Sequence, residues 1–324
     1  MNKYLIFRTD RIGDFLLTAI LINSIKRNDL NSHITVVSSK RNYDYIQTFK
    51  SVDEVILLEN NFIKKIKLII KLRFSYYKFI IIHDLKNRSS IISFFLKYGI
   101  KIKPNIDLNI SYIDAIKKIL SMLNFDFHES DLNSLKNRYY DSLEYSNNDF
   151  ILLHFDEKWI YNDYIREYTN IEPTKDDLIS FIKSLLISSN KKLIITTGVN
   201  CPRILNDIAN DNYNTRVKIF KKLDFFDLEN LIGKCKTLIS CHGSVSHIAA
   251  AYNISQIDII EKEKKDFYHK WTAHFRNYFP VYRVKFNELS KIIVNEIKSK
   301  EWRNSYFFDY NFSIFLSQLD CVHR

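Results

Sequence analysis

Short apolar runs alternate with amphipathic stretches along the whole chain. That rhythm predicts α/β architecture, with mostly parallel sheets covered by helices on both faces. In the first half the expected strands are Tyr4–Phe7, Ile34–Ser38, Val55–Leu58 and Phe79–His83, with another near Ile100–Ile102. The helical stretches between and after them are Phe15–Arg27, Asn42–Phe49, Phe62–Phe74, Ser89–Tyr98 and Ile113–Leu123. Glu129–Asn148 is dominated by Asn, Ser, Asp and Glu and reads as linker or irregular surface. The pattern then restarts. Strands are expected at Phe150–His154, Lys192–Thr197, Val217–Phe220, Thr237–Ser240 and Gln256–Ile260, and helices at Lys175–Ser188, Pro202–Asn210, Asp227–Lys234, Val245–Tyr252 and Leu289–Lys300. The implied division is 1–148, 149–300 and an aromatic tail, 301–324, whose six Phe and Tyr side chains between Tyr306 and Phe315 are expected to pack back on the body.

Two strand–loop–helix passages carry candidate chemistry. In the first, Thr9-Asp10-Arg11-Ile12-Gly13-Asp14 is a tight polar turn between a strand and an apolar helix. Asp14 in that position reads either as a helix N-cap or as a carboxylate presented at the mouth of the sheet, and Gly13 lets the backbone turn closely. Arg8 and Arg11 either hold a phosphate or sugar acid or pair with Asp10 and Asp14. The second is His242-Gly243-Ser244-Val245-Ser246-His247, again between strand and helix. Gly243 and Ser244 can offer backbone N–H groups to a phosphate, Ser244 or Ser246 a hydroxyl, and His247 can reach the same anion or a sugar. The other reading is a capped helix with a packed histidine. A serine nucleophile is disfavoured, because H-G-S-V-S lacks the G-x-S-x-G elbow.

Charge narrows the partners. The 324-residue chain carries a formal net charge of +11, which favours anionic ligands such as nucleotides, phosphorylated sugars or anionic lipid, or else reflects a lysine-rich solvated surface. No Lys/Arg run is long enough for a nucleic-acid arm, so nucleic acid is not an expected partner. The stretch Asn61–Lys78 is both basic and apolar, and reads either as a sheet-covering helix or as a contact for anionic lipid. Four widely spaced cysteines indicate neither a disulfide framework nor a zinc site and fit a reducing cytosol. Asp10, Arg11 and Asp14 interrupt any signal-peptide pattern, and no uncharged run approaches the roughly 18–20 residues of a membrane span, so the expected location is cytoplasmic, soluble or peripheral.

Taken together, the passages resemble a known family. "YLIFRTDRIGDFLLTAILINSIKRNDLNSHITVVSS" is similar to the opening of glycosyltransferase family 9, the lipopolysaccharide heptosyltransferases and their relatives, in which a strand ends in an Arg-x-x-x-Ile-Gly-Asp turn before an apolar helix. "LDFFDLENLIGKCKTLISCHGSVSHIAAAYNI" resembles that family's donor-site segment, with its closing His-x-Ala-Ala. "FILLHFDEKW" resembles the strand opening the second domain, and "KKLIITTGVN" the next strand with its Thr197-Gly198 end. The likeness runs in order over about residues 3–300.

The resemblance implies a GT-B enzyme: two Rossmann-like domains facing across a cleft, acceptor on the first and nucleotide-sugar donor on the second. It maps the catalytic base onto Asp14, the loop histidine onto His247 and the phosphate-facing backbone onto Gly243 and Ser244. Lys158 corresponds loosely to a phosphate-binding lysine, Thr197 and Gly198 fall at the donor side, and Arg8, Arg11 and Gly13 at the acceptor side. The implied reaction is inverting glycosyl transfer to a surface-glycan or lipid-linked acceptor at the inner face of the inner membrane. It needs no cofactor beyond the co-substrate, and no D-x-D pair asks for a metal. One departure stands out: where heptosyltransferases carry Asp-Thr-Gly to grip the donor sugar, this chain has His242-Gly243-Ser244. Imidazole in place of carboxylate points away from ADP-heptose, toward another donor such as an acidic sugar. Two alternatives remain at this point: a nucleotide-sugar epimerase or hydrolase of the same fold, and a non-catalytic sugar-nucleotide-binding partner in polysaccharide assembly.

Overall fold

The computed structural model describes residues 1–104, 110–136, 138, 149–164, 166–209 and 215–299. The chain divides into two compact units: residues 1–144 with 242–254 and 264–278, and residues 145–241 with 255–263 and 279–324. The expected tail 301–324 lies outside the described residues, as does the expected linker beyond residue 138.

In the first unit, strands β1 (Asn2–Phe7), β2 (Ser32–Ser38), β3 (Glu54–Leu57), β4 (Tyr76–Ile82) and β5 (Lys97–Ile102) form one sheet in the order β3-β2-β1-β4-β5. Every neighbouring pair is parallel. The central strands are apolar on both faces because helices cover both: Tyr4, Leu5, Ile6 and Phe7 are wholly buried. Helices α1 (Ile12–Asn28), α2 (Tyr43–Gln47), α3 (Phe62–Arg73), α4 (Asn87–Phe94) and α5 (Tyr112–Met122) join the strands or follow them. Helix α1 is buried along almost its full length, from Phe15 to Ile25, as expected of a helix apolar on all sides. It packs against α5 and also against a helix from much later in the chain, Ser244–Ala251.

The second unit holds β6 (Phe150–His154), β7 (Lys192–Thr196), β8 (Val217–Phe220), β9 (Thr237–Cys241), β10 (Ser255–Ile260) and β11 (Tyr278–Tyr282), in the order β11-β10-β9-β6-β7-β8. Helices α6 (Lys175–Ser188), α7 (Arg203–Ala209) and α8 (Phe225–Lys234) belong to it; α9 (Ser244–Ala251) and α10 (Lys265–Thr272) belong to the first unit. A last helix, α11, spans 286–299. Capping chemistry sets the starts of α6 and α8: the Thr174 hydroxyl accepts from the Asp177 amide, and Asp224 accepts from the Phe226 and Asp227 amides. Trp159 is wholly buried, stacked on Phe155 at 5.0 Å, with its indole N–H donating to the His154 carbonyl at 2.9 Å.

The alternation expected from sequence corresponds to most of the observed elements; α10 (Lys265–Thr272) is not among those expected, and three further differences have a physical basis. Helix α4 stops at Phe94 rather than Tyr98, because Lys97 and Tyr98 are taken up as a strand paired with Tyr76 and Tyr77. Strand β11 carries Pro280, which weakens its signature. The polar stretch from Glu129 is not free linker: Glu129–Leu132 and Ser134–Lys136 are short helical turns pinned to α1. Asp131, only 3% exposed, accepts hydrogen bonds from Ser24 at 2.7 Å, from Arg27 at 2.9 and 3.1 Å, and from the His128 amide at 3.0 Å.

Burial alone would raise the Asp131 carboxyl, but the hydrogen bonds from Arg27, Ser24 and His128 overcome it and hold the group below its ordinary 3.8. A carboxyl depressed in the folded state stabilises above its unfolded pKa, and that stability is lost as pH falls through the folded value. Asp131→Asn is therefore expected to lose about 1–3 kcal/mol at neutral pH. The difference from the parent should shrink as pH drops below about 4, as read by urea unfolding at a series of pH values.

Candidate functional site

The first site grows from the carboxyl end of the first unit's parallel sheet, where such sheets hold ligands. Strand β1 ends at Phe7 and delivers Arg8, 3% exposed, into the loop. Its Nε donates to the Asp14 carbonyl at 2.9 Å, and its Nη1 to the His83 carbonyl at 2.9 Å and to Asp10 at 3.3 Å. The remaining nitrogen, Nη2, is buried with no partner among the described residues. The Asn42 amide donates to the Arg8 carbonyl. Asp14 caps α1 in part, one carboxylate oxygen accepting from the Arg11 amide at 3.1 Å. The side chain remains half-buried rather than sealed in.

The adjoining loop after β4 was not singled out by the sequence pattern. Asp84 accepts from Thr9 at 2.5 Å and Ser89 at 2.7 Å, and Arg88 donates to the Thr9 hydroxyl at 2.7 Å. Lys86 pairs with Asp10. Leu85 sits in the left-handed region at φ 57, a conformation costing about 1–3 kcal/mol that persists only where neighbours fix it. Here Asp84 on one side and the Lys86 amide bonded to it on the other do so. His83 is buried, within 2.8 Å of the Thr18 hydroxyl, and burial with the Arg8 charge keeps it neutral far below its ordinary pKa.

The first turn of α9 completes this site. A Cβ on Gly13 would lie 3.3 Å from the Ser244 Cα and 3.4 Å from the His247 ring. Glycine at 13 is thus a matter of space: its φ is not in the left-handed region. The Gly243 amide donates to the Ser246 hydroxyl at 3.2 Å, closing the turn. The amides of Ser244 and Val245, at the first two helical positions, have no intrahelical acceptor and carry the positive end of the helix dipole. His247 is buried among Trp271, Phe275 and His242, with ring centroids at 6.2, 5.3 and 5.7 Å. Burial first, then His242, His274 and Arg8, drive its pKa well below 6.5, so it is a neutral imidazole. The Tyr112 ring stacks on Trp271 at 3.8 Å, and its hydroxyl feels the charges of Arg8, Asp14 and Asp10. Arg8, Arg11, Gly13, Asp14, His242, Gly243, Ser244, Ser246 and His247 therefore all belong to one unit.

Lys158, Thr197 and Gly198 form a second cluster, in the second unit, at the carboxyl ends of β6 and β7. Lys158 pairs with Asp156 at 2.9 Å, and His154 approaches the same carboxylate at 3.6 Å. Burial would raise the Asp156 carboxyl, but the Lys158 charge and hydrogen bonds hold it down; burial takes His154 to about 4. Gly198 lies against Asp156 and Glu157 so tightly that a Cβ there would collide with the Glu157 carboxylate. The Thr197 hydroxyl accepts from the Lys222 amide at 2.9 Å. Arg283, which no sequence signal marked, donates to the carbonyls of Lys158 and Thr169 and lies over the Tyr168 ring at 5.0 Å. With Lys158, Tyr161 and Tyr164 it lines a small recess.

Solved structures share this architecture. The E. coli heptosyltransferase WaaC with ADP-2-deoxy-2-fluoro heptose superposes at a TM-score of 0.68 and 13% identity, over 93% of this chain and 99% of that one. E. coli ADP-heptose lps heptosyltransferase II gives 0.63 and 13% over 93% and 99%. A glycosyl transferase family 9 structure from Veillonella parvula gives 0.64 and 13% over 90% of each chain. The fold is GT-B. At these identities the likeness is one of fold. No protein-family model matches the chain, and no curated protein matches it by sequence. Within this GT-B chain the approach of Gly13 to α9 is a close one, tight enough that any side chain at 13 would press on α9. Gly13→Val is expected to lower stability by about 1–3 kcal/mol through overpacking, with Gly13→Ala less affected, as measured by thermal and urea unfolding.

Proposed function

We propose that this protein is a glycosyltransferase that moves a sugar from a nucleotide-sugar donor to a hydroxyl of a lipopolysaccharide-type or other surface-glycan acceptor, with inversion and without a metal ion. The observation that carries the reading is the packing of the Asp14 turn against the first turn of α9, held by the absence of a side chain at Gly13. It gathers a half-exposed carboxylate, a buried guanidinium and a helix N-terminus into one unit. The E. coli neighbour solved with an ADP-sugar analogue supports a nucleotide sugar as donor.

In this mechanism Asp14 removes the proton of the acceptor hydroxyl as that oxygen attacks the anomeric carbon. The new carbon–oxygen bond forms as the bond to the donor phosphate breaks, and the electron pair leaves with the nucleotide. The α9 amides and Arg8 stabilise the charge that develops on the departing phosphate. Neutral His247 is suited to hydrogen-bonding a sugar hydroxyl or phosphate oxygen without adding charge. Tyr112 and Trp271 supply an aromatic wall of the kind that packs against sugar rings. Lys158, Thr197 and Gly198, which the family resemblance puts on the donor side, lie with Arg283 in the second unit. His242, in ring contact with Tyr268 at 4.8 Å, stands where heptosyltransferases carry an aspartate, and we assign it to selection of a donor other than ADP-heptose, with acidic sugars as first candidates.

The test pairs binding with turnover. Asp14→Asn should lower transfer by about 10²–10⁴-fold while the melting-temperature rise given by the donor nucleotide is retained. Near-parental transfer by the variant removes Asp14 as the base. Transfer should be unchanged by EDTA, and a donor panel in which ADP-heptose alone turns over efficiently overturns the role given to His242.

A further inference from the structure

Helix α3 has two apolar faces, and the sheet accounts for only one. Leu68 and Leu72 are buried in the cluster that covers Leu5, Phe7, Ile80 and Ile82. On the other side, Phe62, Ile66, Ile70 and Phe74 follow one another at four-residue intervals, 75%, 42%, 52% and 86% exposed. Ile92 and Leu96 pack on the same core cluster, so α4 and the turn after it lie over the same face of the sheet as α3. They too turn apolar groups outward, Ile91, Phe94 and Phe95. An apolar surface of this extent on a monomer marks an interaction site.

Charge identifies the partner. Between positions 60 and 106 the only acidic residue is Asp84, which is buried. Lys67 and Arg73, both exposed, flank the α3 stripe and have no ion pair among the described residues. Lys97, Lys101 and Lys103 follow α4 in sequence. A second copy of the chain would set this cationic rim against itself in a two-fold contact, and the apolar centre does not suit nucleic acid. Apolar side chains that insert, rimmed by long cationic ones that stay with the headgroups, are the chemistry of an interfacial helix on an anionic bilayer.

We propose that the outward face of α3 and α4 docks this protein on an anionic phospholipid surface, with Phe62, Ile66, Ile70 and Phe74 entering the headgroup–acyl boundary and Lys67 and Arg73 meeting lipid phosphates. Docking is independent of the glycosyl-transfer reading and is measured without any sugar substrate. In co-sedimentation of the full chain, phosphatidylcholine vesicles containing phosphatidylglycerol should retain the protein, pure phosphatidylcholine should retain it at least about tenfold less, and added salt should weaken binding. Ile66→Glu/Ile70→Glu should reduce binding about tenfold or more with an unchanged melting temperature, because both side chains already face outward. Lys67→Gln/Arg73→Gln should cut the dependence on phosphatidylglycerol. Undiminished vesicle binding by the Ile66/Ile70 variant overturns the proposal. So does a dimer seen by light scattering that the variant abolishes while the parent ignores vesicles, which would give the face to a second copy.

Discussion

The lack of a side chain at position 13 lets the turn after β1 lie against the first turn of α9, and the rest of the candidate site depends on that approach. A Cβ there would meet Ser244 Cα at 3.3 Å and the His247 ring at 3.4 Å, so one of them would have to give by a few tenths of an ångström. Beside them, the Arg8 guanidinium donates to the Asp14 and His83 carbonyls and has one buried nitrogen with no partner among the described residues. A buried cation with an unused donor is costly, which is why Arg8 figures in the proposed site.

The histidines near this turn obey the same logic. His83, His247 and His274 are deprived of water, and burial is the largest influence on each, so all three stay neutral. With Arg8 close by, protonation of His247 would place two cations in a dry space. The site therefore holds its positive charge on the guanidinium and the helix terminus, groups that do not titrate near neutral pH. The cluster around Asp156 is built differently: a carboxylate, a lysine and a neutral histidine balance one another within the second unit.

Much of the fold was legible because parallel strands buried on both faces write continuous apolar runs. Phe150–His154 coincides in sequence and structure for that reason, and Lys175–Ser188 does so because its Thr174 cap and helical apolar spacing mark both its start and its buried face. Gly13, Asp14 and the His242–His247 turn were legible as site candidates because polar residues and glycine interrupt such runs at strand ends. Glycine is rare here, five in 324 residues, so Gly13, Gly198 and Gly243 stand out. What escaped the pattern needed three dimensions. Asp131 looked solvated until Arg27 and Ser24, over a hundred positions earlier, were seen to bind it. Arg283 and the Tyr112–Trp271 stack join segments far apart in sequence, and no spacing rule encodes them. The second apolar face of α3 was hidden because a sequence shows that a helix is apolar but not which side the sheet claims.

The first unit is not contiguous along the polypeptide: its core includes 242–254 and 264–278. On the ribosome, α1 emerges early, yet the helix that covers its flank, α9, is made more than two hundred residues later. The sheet, α5 and the rings of Tyr45 and Phe49 can cover most of Phe15–Ile25 early, but the α9 side is closed only once Ser244–Ala251 has been made. The surface of α1 that α9 covers is thus completed only by a segment made long after it.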